Sequence, residues 1–221
     1  MKLAQKLFFI ISASSLLDSH AIAYETPSHW RLSDESFAIS DLNSSKLAYQ
    51  LGIQEIIQRV QFRPTQVDRD ADLQRVRISC DPRAQMTLRQ LLSCGAMFED
   101  IPGVRSFSHF HDPANNSPLT VGTIKPGYVI PPGNANLMSA DWALQDNNNL
   151  QEQKFSYRRA RQYFFNALTL QGPENLIKGR NDHWALLFQT LGHVIHHVQD
   201  MAQPQHTRND PHADWLTSVF A

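Results

Sequence analysis

One stretch constrains this chain more than any other: Leu191–His206, which reads LGHVIHHVQDMAQPQH. A helix running to about Met201 places His196 and Asp200 four residues apart, one turn up the same face. Pro204 lacks an N–H and disfavours helical geometry in the residue before it, so the helix is expected to stop there. His206 follows two residues later, where a turn returns its imidazole towards the pair. Two imidazoles and a carboxylate converging at a helix end form a ligand set for a divalent metal such as zinc. Leu187, Leu191, Val194 and Val198 lie on the opposite face and are expected to hold the helix in a core. An isolated H-x-x-x-D is more often a surface ion pair; the D-x-x-x-P-x-H continuation is the part that is hard to meet by accident.

Residues 1–23 carry Lys2 and Lys6, then the apolar run Leu7–Leu17, then Ala21-Ile22-Ala23. That is the layout of a secretory signal peptide with an A-x-A cleavage site, and the run is too short to span a bilayer. The expectation is a secreted or periplasmic protein whose mature chain, 24–221, is one domain with a real core. No later segment resembles a membrane span. Cys80 and Cys94 stand fourteen apart, and in an oxidising compartment a bridge between them would stabilise by roughly 3 kcal/mol in the chain-entropy model. Two thiols are too few for a thiolate zinc site. A net charge of −1 supplies no basic field for non-specific nucleic-acid binding, so no stable nucleic-acid complex is expected. Arg158, Arg159 and Arg161 read as a solvated helix face.

Ser28–Leu32 before Ser33-Asp34-Glu35 reads as an N-cap and a first turn near Ser33. Lys46–Gln61 suits an amphipathic helix. Phe62–Met86 reads as loop, with a short strand around Val76 and Ile78. Thr87–Phe98 is a helix with a capping box from Thr87 and Gln90. Pro118–Asn149 reads as a long surface excursion, with a helical turn near Ala140–Gln145 and Trp142 as an anchor. Phe155–Leu170 is helical, with Tyr157, Ala160, Phe164, Ala167 and Leu168 expected in the core, and a last helix begins near Asn181 or Asp182. Several amphipathic helices and little strand signal predict an all-α helical bundle with metals among its helices.

The pattern LG-x-x-x-H-x-x-x-D-x-x-x-P-x-H resembles the zinc-ligand segment shared by bacterial zinc-dependent phospholipases C and the fungal single-strand nucleases. Gly192, His196, Asp200, Pro204 and His206 stand where that family's motif has them. The family also has an acidic ligand upstream of an H-F-x-D-P segment whose histidine binds metal. Asp100 and His109 match these positions, with Glu99 and His111 as the alternatives, at a shorter spacing than in the phospholipases. His29 matches by position a ligand histidine that starts a helix near the mature N-terminus. Two features depart from the pattern. Cleavage would leave Tyr24 first, with Trp30 inside the chain, where the phospholipases use an N-terminal tryptophan. The later H-x-x-x-E that completes the third metal position is missing, since no glutamate follows Glu174; the chain is a shortened member or a truncated one, and His212 and Asp214 are the remaining candidates.

The resemblance implies an all-α phospholipase C/P1 nuclease-like fold holding two or three Zn2+ ions. His29, Asp100, His109, His196, Asp200 and His206 would be the ligands, with Asp200 bridging and Asp100 also serving the nucleophilic water. Gln199 and Gln203 are candidates for orienting the imidazoles. The implied reaction is phosphodiester hydrolysis, first of phospholipid head groups, with transient contact at a membrane surface. Single-strand nuclease action, or metal binding without activity, are the alternatives.

Overall fold

The computed structural model describes residues 26–53, 57–59, 80, 85–101, 103–119, 137–145, 153–169 and 179–210. Expectations for residues 1–23, for Val76 and Ile78, and for His212 and Asp214 lie outside them. Pro27 is tolerated in a first helical turn, where its missing N–H has no intrahelical partner to lose, and helix α1 spans Thr26–Ile39. Ser33 therefore does not cap a helix. It is buried within α1 and accepts a hydrogen bond from Gln199 Nε2 at 2.9 Å. Asp34 instead takes Arg89 in a two-pronged ion pair at 2.5 Å. After a 3-10 turn at Asp41–Asn43, α2 covers Ser45–Leu51.

The expected helix to Gln61 ends early. Gly52 has φ +66, the left-handed conformation that closes helices, and Ile57–Arg59 forms β1. That strand pairs antiparallel with β2, Gln85–Thr87, with Ile57 opposite Thr87. Helix α3, Leu88–Phe98, starts as the sequence predicts: Thr87 and Gln90 exchange both capping-box bonds. The Cys80–Cys94 disulfide, with Cα atoms 5.7 Å apart, ties residue 80 to the middle of α3. A 3-10 helix, Gly103–Ser108, leads into a turn closed by the Asp112–Ser117 bridge. Then come α4 (Ser139–Leu144), α5 (Tyr157–Thr169), α6 (Arg180–Asp200) and α7 (Pro204–Thr207). The described residues are thus mostly helical, and no helix among them is long and apolar enough to cross a membrane.

Helix α6 lies at the centre, with α3 and α5 packed along it and α1 on α3. Leu91, Met97 and Phe98 of α3 meet Trp184, Leu187 and Phe188 of α6 in the apolar core. The α3–α6 crossing is close because two glycines face it. A Cβ at Gly192 would strike the Leu92 carbonyl oxygen and the Ala96 amide; one at Gly95 would strike the Gln189 carbonyl. This crossing changes the expected apolar stripe of α6. Leu187 is buried, but Leu191 and Val194 are only partly so and Val198 is 69 % exposed. The face turned inward at the C-terminal end is polar: His193, His196, His197 and Asp200. On α5, Ala160 and Ala167 are buried as expected, whereas Tyr157, Phe164 and Leu168 are exposed, Phe164 still meeting Trp184 of α6 edge to face at 5.7 Å. Pro204 also acts differently from the expectation. Helix α6 ends at Asp200, and Pro204 begins the next turn.

Candidate metal centre

The glycine crossing sets the position of the first ligand. With α3 and α6 this close, His196 Nδ1 reaches the Ala96 carbonyl at 2.6 Å and donates to it, which turns Nε2 towards the interior. His196 Nε2 then stands 3.0 Å from Asp200 Oδ2, one turn along the same helix, and 3.1 Å from His109 Nδ1. His109 Nδ1 is itself 3.0 Å from Asp200 Oδ2 and 3.3 Å from Asp100 Oδ1. His29, brought in by α1, stacks on His196 at 3.8 Å. Its Nδ1 donates to Gln199 Oε1 at 2.8 Å, leaving Nε2 3.4 Å from Asp200 Oδ1. Gln199, in turn fixed on Ser33, thus holds the imidazole of His29. Gln203 acts through its backbone, donating to the Asp200 carbonyl at 2.8 Å and accepting from the His206 amide at 3.1 Å.

His206 arrives on the α7 turn. Its Nδ1 lies 3.3 Å from Asp200 Oδ2 and 3.2 Å from the His109 carbonyl, and its ring stacks on Phe110 at 4.6 Å. A backbone bond from the His111 amide to the His206 carbonyl at 3.0 Å ties the two segments together. All six residues singled out from the sequence, His29, Asp100, His109, His196, Asp200 and His206, therefore meet around Asp200. The alternative His111 does not: its Nε2 pairs with Asn116 Oδ1 at 3.1 Å in the turn beyond. Asp112 accepts from the Ala114 amide and the Asn115 side chain, which is turn chemistry.

Burial alone would raise the Asp200 carboxyl, but the neighbouring His196, His206 and His109 imidazoles hold it well below the usual carboxylate range. Asp100 is likewise held low, by His196, His109 and His29 against its desolvation. The reciprocal effect acts on two histidines. Asp100, Asp200 and Glu99 raise His109 despite its burial, and Asp200 and Asp100 raise His196. Burial wins at His29, with repulsion from His196, and lowers it to about 4. Desolvation likewise brings His193 and His197 to about 4, in spite of their bonds to Glu99.

A divalent cation fits this donor set. Three imidazole nitrogens stand within 3.0–3.3 Å of Asp200 Oδ2, yet among the described residues no hydrogen bond is aligned on that buried oxygen. Among the described residues, donor atoms of His29, Asp100 and His196 lie within 4.8 Å of one another, as do those of His109, His196 and Asp200. The two sets share His196, and Asp200 offers one oxygen towards His29 and the other towards His109 and His196. Mixed imidazole and carboxylate donors suit zinc.

Glu99, His193 and His197 form a second layer that the sequence reading did not assemble. Glu99 entered it only as an alternative acid. In the structure its carboxylate is buried beneath His109, with His193 Nδ1 at 2.5 Å, His197 Nε2 at 3.2 Å and Arg105 Nη2 at 2.5 Å. Trp142, the expected anchor of its segment, donates its indole N–H to the same carboxylate at 2.9 Å. The i, i+3, i+4 spacing of His193, His196 and His197 was the available signal that one face of α6 is polar. Comparison with models of known protein families, with curated proteins and with solved structures finds no match to this chain.

Proposed function

We propose that this chain is a secreted zinc-dependent phosphodiesterase of the phospholipase C/P1 nuclease type, acting on phospholipid head groups. The observation that carries the reading is the convergence on Asp200 of three imidazoles from separate segments, those of His29, His109 and His206, beside His196 on its own helix. In this reading His109, His196, Asp100 and Asp200 would hold one zinc, and His29 with Asp200 would hold a second. His206 belongs to a third position. Bound there, zinc would supply Lewis acidity, bringing a water nucleophile within reach of neutral pH and offsetting charge on the phosphoryl oxygens.

The chain's own residues do the rest. Asp200 is nearly sealed from solvent, so its charge, undiluted by water, would offset that of cations held on either side of it. Asp100 is different: its side chain keeps 24 % exposure while those of His109, His196 and Asp200 keep 2 % or less. It is the carboxylate that incoming water and substrate reach, placed to accept a hydrogen bond from the attacking water and orient it. Ser106 Oγ donates to Asp100 Oδ1 at 3.1 Å and holds the carboxylate in place. Gln199 and the Ala96 carbonyl fix the rings of His29 and His196.

The test is elemental analysis of the purified protein, followed by assays on a choline phosphodiester and on single-stranded DNA. At least one zinc per chain with turnover of the choline ester is the expected result. Turnover of DNA alone makes it a nuclease, zinc without either activity makes it a metal-binding protein, and less than one zinc per chain removes the site.

A further inference from the structure

Beneath the centre, His109 has a second buried nitrogen. Its Nε2 is sealed from solvent and has no hydrogen-bond partner among the described residues, and the acceptor it faces is Glu99 Oε1, 3.7 Å away. Its other nitrogen, Nδ1, looks the opposite way, onto Asp100 and Asp200. The ring is confined on the remaining sides, meeting His196 at 4.6 Å and His197 at 4.7 Å edge to face.

Two readings of Glu99 compete. Its carboxylate and donor atoms of His109 and His197 lie close enough together to hold a cation of their own. Charge argues against that. Arg105 already binds Glu99 Oε2, is held by Gln153 Oε1 at 2.8 Å, and lies over the rings of Trp142 and Phe155. A dication there would face a fixed guanidinium across one carboxylate, in a place that water does not screen. Trp142 and His193 add donors to the same group, so Glu99 is surrounded by N–H groups rather than lone pairs. On Oε1 the Trp142 indole at 2.9 Å and His197 Nε2 at 3.2 Å are already in place, and His109 Nε2 joins them as a third, longer donor at 3.7 Å.

We propose that Glu99 is a positioning residue for the centre: it accepts the Nε2 proton of His109 and so keeps the Nδ1 lone pair directed at the Asp100–Asp200 metal position. This rests on the proposed zinc site and adds its outer layer. A small shift of the ring towards Glu99 brings the 3.7 Å gap into hydrogen-bond range. Carboxylate–histidine–metal relays of this kind fix which nitrogen carries the proton and strengthen the ligand, and losing the outer partner weakens metal binding by about 10–100-fold. Arg105 keeps Glu99 from competing as a ligand, because its charge is already matched.

Two measurements test this. In zinc-loaded wild-type protein, nitrogen-15 imidazole spectra should show His109 carrying its proton on Nε2 and bound to metal through Nδ1. In Glu99→Gln, the affinity for zinc should fall about 10–100-fold, while the cobalt-substituted protein keeps a visible spectrum of the same shape, because the ligands themselves are unchanged. Metal bound to His109 through Nε2, or wild-type zinc affinity in a folded Glu99→Gln protein, overturns the proposal while leaving the zinc site standing. Absence of zinc from the wild-type protein overturns both. Should Glu99→Gln fail to fold, the wild-type imidazole spectra decide alone.

Discussion

Asp200 is the residue whose chemistry can be isolated most cleanly. Replacing it by Asn preserves its size and removes the charge that the His29 and His109 sides of the centre share. Asp200→Asn is expected to weaken both zinc positions together, by at least the ~10–100-fold that losing a single outer-shell partner costs. Elemental analysis and competition with a chromophoric chelator measure it, and loss of only one metal would show that the carboxylate is not shared. The histidines give a second residue-scale prediction, for the metal-free protein. His109 and His196 have raised folded-state values, so the stability they add is complete below the ordinary histidine value of about 6.5 and is lost as pH rises through their folded values. His29, His193 and His197 are lowered to about 4, so the unfolded chain takes up their protons first and stability falls as pH drops from 6.5 to 4. Metal-free protein should therefore melt highest near pH 6.5, with losses on both sides, as thermal unfolding in chelator at a series of pH values will show. Loaded protein should lose the alkaline decline, since bound cations replace the protons that His109 and His196 hold.

The two glycines that let α3 and α6 touch make a prediction at the scale of the element. A methyl at Gly192 meets backbone, which cannot swing aside as a side chain can. Gly192→Ala should lower stability by about 1–3 kcal/mol or more, read from chemical denaturation. It should also lower zinc content, because separating the helices breaks the His196–Ala96 bond that aims Nε2. A stable variant with full zinc content would show that the close crossing is not what orients His196. The Cys80–Cys94 bridge also anchors α3, and reducing it should cost roughly 3 kcal/mol, seen as a lower denaturant midpoint in reductant. The elements also mark where local signals suffice. The start of α3 was legible because capping is local: Thr87 and Gln90 satisfy each other three residues apart. The end of α2 was not, because an apolar run from Leu47 to Val60 fits a helix and a strand alike, and pairing with β2 decides the matter at Ile57. The stripe of α6 misled for a related reason. Periodicity reports that a face exists, whereas the partner helix decides which face is covered.

At the scale of the molecule, reading residues 1–23 as an export signal leads to a direct expectation. The exported protein should begin at Tyr24 on N-terminal sequencing, and a full-length product retained inside the cell would refute it. Export would also supply the oxidising conditions in which Cys80 and Cys94 pair. Sequence by itself determined the mostly helical character, the pairing of the two cysteines and the donor types of the candidate centre. The reason is that helix patterning, cysteine number and donor chemistry are properties of residues and their near neighbours. His196 and Asp200 share a face at a spacing of four, and that face survives in any helix built from this stretch. The resemblance named His29, Asp100, His109 and His206 for the same set, but only the tertiary structure brings them together with His196 and Asp200. His29 and Gln199 are 170 positions apart, and Glu99 meets His193 across 94, separations that no local pattern encodes. It also placed Glu99 behind the site and Asp100, the first choice of the sequence reading, beside His109 and His196. Adjacent residues leave the end of a helix in different directions, and only the packing of α3 against α6 settles which of the two carboxylates turns to Arg105 and which to His196.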